Sequence, residues 1–77
     1  MRRDTFARVL ASFNTAVPFE PFTVELVNGV RYIARGPEVI ILDGDLASFG
    51  ELDDAVEYFD ATSVVRVVPV IIPRGAG

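Results

Sequence analysis

The chain is 77 residues long, has a formal net charge of −4 and contains neither cysteine nor histidine. That length allows one domain, and the missing residue types exclude a disulfide framework, a thiolate metal site and the usual imidazole general base. Hydrophobic residues make up 51% of the chain, too many for a disordered segment.

A domain this small buries only about 60–65% of the surface that its unfolded chain exposes. With disulfides and thiolate or imidazole metal sites removed, burial against a partner is the remaining supplement, and a homo-oligomer is expected. The apolar residues come in short runs, the longest broken by Arg66 and Pro69, so no helical membrane span is expected. The segment after Arg2 and Arg3 lacks the apolar core of a signal peptide, and a cytoplasmic location is expected. Signs are segregated along the chain. Arg2, Arg3 and Arg8 sit at the start, whereas the stretch from Glu38 to Asp60 holds eight acids and no base.

Asp4 or Thr5 can cap a helix, and Phe6, Val9, Leu10 and Phe13 then fall at i, i+3, i+4 and i+7. That spacing predicts one amphipathic helix over about 4–14, with Arg2, Arg3 and Arg8 on its solvated side. Pro18 and Pro21 stop the helix and extend the chain, because a residue before proline is pushed out of the α region. Strands are predicted at about 22–27 and 30–35, joined by Asn28-Gly29, the favoured pair for a two-residue hairpin turn. That turn would set Val27 opposite Val30, Leu26 opposite Arg31, Val24 opposite Ile33 and Phe22 opposite Arg35. Phe22, Val24, Leu26 and Ile33 then form the core face. Tyr32 falls on the semi-polar face with Thr23, Glu25, Val27, Val30 and Ala34.

Gly36-Pro37 breaks the pattern, and about 38–42 reads as a third strand, too short for a helix. Asp43-Gly44-Asp45 turns the chain. Leu46 to Asp54 is compatible with a short strand or with an irregular loop. A strand follows at about 55–60, with Val56 and Tyr58 on one side and Phe59 on the other. Ala61-Thr62-Ser63 makes a corner, and a last strand is predicted at about 64–68, ahead of a flexible end from Arg74. One helix and about five short strands point to a mainly β fold, a single Sm-like or SH3-like small barrel over 1–77.

Two resemblances follow from these residues. Pro18-Phe19-Glu20-Pro21-Phe22, the hairpin Leu26-Val27-Asn28-Gly29, Tyr32 and Pro37-Glu38-Val39 resemble a family of small uncharacterised bacterial proteins common in planctomycetes. That family often has histidine where this chain has Gly36, and the resemblance implies a fold and no chemistry. More distantly, Leu26-Val27-Asn28-Gly29-Val30 and Tyr58-Phe59-Asp60-Ala61-Thr62-Ser63, leading to Val67-Val68-Pro69, are similar to the Hfq-type Sm-like RNA chaperones. That resemblance implies an N-terminal helix before a five-stranded bent sheet, and rings made by pairing the last strand with a neighbour's fourth. This chain has Phe59 and Asp60 where that family places the Lys-His pair that contacts RNA, and its excursion between the second and third strands is shorter.

Catalysis is not expected. Ser12, Ser48 and Ser63 have no histidine or lysine to activate them, and no glycine-rich phosphate loop exists. Asp43, Asp45, Glu51, Asp53 and Asp54 offer oxygens for a metal but lack the order of a calcium loop, and read as solvated turn residues. No cofactor is expected. The run from Val64 to Ile72 is the stickiest in the chain, with Arg66 and Pro69 as gatekeepers against indiscriminate pairing. Val64, Val65, Val67 and Val68 are therefore the candidates for self-association, with Tyr32, Phe59 and Arg66 as candidates for a partner surface. A rival reading is an RNA-binding Sm-like protein that holds phosphates with Arg2, Arg3, Arg8, Arg31 and Arg35 and stacks a base on Tyr32. The acidic total weighs against it. Membership of a larger complex is a third reading.

Overall fold

The computed structural model describes residues 1–50 and 56–70. It is mainly β with one N-terminal helix. Helix α1 spans Arg3–Asn14, and strands follow at Phe22–Leu26 (β1), Arg31–Ala34 (β2), Ile40–Asp43 (β3), Leu46–Phe49 (β4), Glu57–Asp60 (β5) and Val64–Pro69 (β6). All pairings are antiparallel and form two three-stranded sheets, ordered β2-β1-β6 and β3-β4-β5. The sequence led us to expect about five strands. The additional one is β4, in the stretch that had been open between strand and loop. Ala55, the remainder of that stretch from Glu51, Ile71, Ile72 and the end from Arg74 lie outside the described residues.

The helix forms where its apolar stripe requires it. Phe6 and Leu10 are buried, while Val9 and Phe13 are half-buried. Its start differs from expectation. Arg2 occupies the cap position and no side chain caps the helix; Asp4 instead lies in the first turn, where its charge suits the helix dipole. The far end is closed by Thr15, whose N–H and hydroxyl both donate to Ala11 O. Asn14 then ties the helix to the β2–β3 connection. Its Nδ2 donates to Ile40 O at 3.2 Å, and its Oδ1 accepts from Glu38 N at 3.2 Å. Glu38 itself holds a φ of 64°, a left-handed conformation that costs a non-glycine residue about 1–2 kcal/mol.

The β1–β2 hairpin corrects the expected register. Glycine at position 29 has φ +89°, but Asn28 has no positive φ, so the two-residue type I′ turn is not made. Instead Gly29 N donates to Leu26 O at 3.0 Å and Leu26 N donates to Val30 O at 2.8 Å, which encloses the three residues Val27, Asn28 and Gly29. The Asn28 side chain accepts from Val30 N and fixes the loop. Val24 consequently pairs with Tyr32 and Phe22 with Ala34. A one-residue change in pairing moves every β2 side chain to the opposite face. Tyr32 and Ala34 are therefore buried, whereas Ile33, expected in the core, is 40% exposed. The physical reason is charge. The two-residue turn would aim Arg31 and Arg35 at the core, where unpaired charges are costly. The longer loop turns both outward.

The two-residue turn occurs further along, between β3 and β4. Asp43 pairs with Leu46 around Gly44, whose φ of +64° at the first central position is what a type II′ turn needs. The inner faces of the two sheets share one core. Tyr32 stacks on Phe59 with centroids 5.0 Å apart and meets Phe49 at 4.9 Å. Phe6 closes on Phe59 edge-on from the helix, and Phe13 lies 4.8 Å from Phe22.

Candidate assembly surfaces

Strand β6 carries the residues expected to self-associate, and the fold divides them. Val64 is fully buried in the monomer's own core, so its side chain is not part of an exposed surface. Its N–H donates to Ala61 O, and its carbonyl accepts from the Met1 ammonium. Between Arg66, opposite Glu25, and Val64, opposite Leu26, the register shifts and leaves Val65 without a direct partner. Such a bulge sharpens the local twist. Val65 and Val68 are exposed on the outer side, while Val67 points inward and is half-buried against the core.

The backbone of β6 is the more telling feature. Val70 N donates to Pro21 O at 3.0 Å. Antiparallel alternation then directs the amides of Val68 and Arg66 toward β1, and those of Val67 and Pro69 away from it. No strand of the described residues pairs with that outer edge. It offers the N–H and C=O of Val67 and the C=O of Pro69, but no donor at Pro69, so the proline narrows what can pair there.

Among the described residues β5 likewise ends its sheet, as β2 and β3 end theirs at the opposite sides. Ala61 N donates to Asp45 O at 3.0 Å, and Phe59 pairs with Ala47. By the same alternation, Tyr58 turns its N–H and C=O away from β4, and β5 ends its sheet. Tyr58 is 63% exposed, near exposed Val56 in the chain. The sequence put Tyr58 on a strand but did not name it as a contact residue, because an edge is defined by which long-range pairings form.

Other candidates are placed differently from expectation. Tyr32 and Phe59 are core residues and present no ring face to a partner or a base. Burial also pushes the Tyr32 hydroxyl above its ordinary pKa, with the Glu57 charge adding to it. The arginines do not converge on one patch. Arg2 lies 3.6 Å from Asp4 and Arg3 lies 3.4 Å from Asp45 at the start of the helix, with Arg8 exposed further along it. Arg31 and Arg66 flank Glu25 on the outer face of the first sheet, at 2.9 and 2.7 Å. Hydrogen bonds from Arg66 and then Arg31 hold the Glu25 carboxyl below the usual carboxylate range. Arg35 is exposed just beyond β2. Of the acids considered for a metal, Asp45 faces Arg3, while Glu51, Asp53 and Asp54 lie outside the described residues.

Compared with known proteins, the chain matches no family model, no curated protein and no solved structure. Among the described residues, no helix is long and apolar enough to cross a membrane.

Proposed function

We propose that the chain is a non-catalytic assembly module that pairs the β6 edge of one copy with the β5 edge of the next. In this reading β2 and β3 are two halves of one bent strand, interrupted at residues 36–39. The strand order then becomes β6-β1-β2/β3-β4-β5, the order of a five-stranded Sm-like barrel, with β6 and β5 at its two ends. The observation that carries the proposal is that, among the described residues, no strand pairs with the outer backbone edge of either end strand, and exposed apolar side chains lie beside both. Unpaired edges of this kind recruit other strands, and a 77-residue core gains from the additional burial. Val65, Val67, Val68 and Tyr58 are the contact residues.

Proline tests the pairing at the atoms concerned. Val67→Pro removes the outward N–H of β6 and Tyr58→Pro that of β5, and neither touches a ladder bond within the monomer. Each is expected to leave a folded monomer at dilute protein, as read by light scattering and circular dichroism. Assembly that survives in both folded variants would overturn the proposal.

RNA binding through the arginines is the second reading. Arg31 and Arg66 are shared with Glu25 and Tyr32 is buried, which places it behind the first. Tight binding of unrelated oligoribonucleotides at low salt, fading steeply as salt rises, would reverse that order.

A further inference from the structure

The outer faces of the two sheets carry rows of opposite net charge. On the first sheet, Arg31, Glu25 and Arg66 stand side by side across β2, β1 and β6, and Ile33, Thr23 and Val68 form the row beside them. Two arginines against one glutamate leave the first of these rows one positive charge in excess. On the second sheet, Ile41, Ser48 and Tyr58 form one row across β3, β4 and β5, and Asp43, Leu46 and Asp60 form the next. That face has two aspartates, and no base occurs anywhere between Glu38 and Asp60.

Both faces are also apolar for exposed surface. Ile33 and Val68 are 40% and 41% exposed on the first, and Ile41, Leu46 and Tyr58 are 52%, 49% and 63% exposed on the second. Each sheet therefore presents a strip of uncovered hydrophobic side chains beside a charged row, and the signs are opposite. Apolar sheet faces of this kind seek cover, and opposite potentials select what covers them.

We propose that the outer face of the first sheet in one copy docks on the outer face of the second sheet in another copy. Ile33 and Val68 then lie against Ile41 and Tyr58, while Arg31 and Arg66 reach Asp43 and Asp60. Because the two faces differ, the contact is heterologous, and repetition makes a ring or an open chain rather than a closed dimer. The inference rests on the same premise of self-association as edge pairing; edge pairing works through backbone N–H and C=O groups and face docking through side chains, Val68 and Tyr58 serving both, so blocking the backbone edge alone separates the two.

The experiment is carried out in Val67→Pro, which blocks the β6 edge and leaves both outer faces intact, with concentrated protein at low ionic strength. This variant is expected to associate, and added salt is expected to reverse the association. Adding Ile33→Glu or Ile41→Glu, each at an exposed position, is expected to leave a monomer. Mixing those two blocked chains is the decisive arm. Each retains the face the other lacks, so they are expected to form a one-to-one pair of twice the 8.4 kDa chain mass and nothing larger. A folded Val67→Pro chain that stays monomeric, or a mixture that gives no pair, overturns the face contact. Neither result touches the edge proposal, which is read in the unblocked chain at dilute protein.

Discussion

Tyr32 stacks on Phe59 with centroids 5.0 Å apart and planes within 15° of parallel, and this pair joins the two sheets across the core. Tyr32 comes from β2 of the first sheet and Phe59 from β5 of the second. Truncating Phe59 to alanine is expected to cost about 3–5 kcal/mol, the usual loss for a buried ring. A domain of this size has little more than that in total. Urea unfolding should therefore show Phe59→Ala largely unfolded, with Phe59→Leu retaining most of the stability.

Tyr32 also sets an alkaline limit. Its hydroxyl titrates above the ordinary value because burial disfavours the phenolate and Glu57 repels it. A group raised in this way contributes stability that is complete below its unfolded pKa of about 10 and is lost as pH rises through the folded value. Stability is expected to fall above that pH in the wild type and to fall less in Tyr32→Phe. Melting curves across the alkaline range check this.

At the acid end the sign reverses. The Glu25 carboxyl is depressed by Arg66 and Arg31, and that of Asp60 by the backbone N–H and hydroxyl of Thr62. Their contributions are present above the unfolded carboxylate pKa of about 4 and are lost as pH falls through the lower folded values. Glu25→Gln is expected to flatten this acid dependence: the wild type is the more stable protein above pH about 4, and the two converge as pH falls below it. Thermal melts of the two proteins as a function of pH give the comparison.

The turn positions carry local conformational demands. Gly29 at φ +89° is expected to cost about 1–2 kcal/mol when replaced by alanine, since a Cβ is disfavoured in the left-handed region even where nothing crowds it. Asn14→Ala is expected to cost about 1–2 kcal/mol, because it removes the side-chain bonds to Ile40 O and Glu38 N. Chemical denaturation measures both.

Much of the fold was legible in the residues. The i, i+3, i+4, i+7 spacing of Phe6 to Phe13 located the helix, and alternation identified Phe22, Val24 and Leu26 as a core face. The hairpin register was misread because Asn28-Gly29 was judged by turn chemistry alone. Arg31 and Arg35 held the information needed, since the two-residue turn sends both into the core. Strand β4 was ambiguous because Ala47 and Ser48 are weak strand formers, and its pairing with β3 and β5 decides the matter. The last strand was marked as a sticky edge by its aliphatic run, but which of its groups point outward follows only once β1 and β4 have taken the other sides of β6 and β5. Tyr32 falls on the semi-polar face in the register of a two-residue turn, and the three-residue loop buries it.

The native mass of the unmodified chain in solution bears most directly on assembly through the β5 and β6 edges. Light scattering over a dilution series is expected to give a multiple of 8.4 kDa that persists at dilute protein. A mass of one chain at every concentration contradicts it.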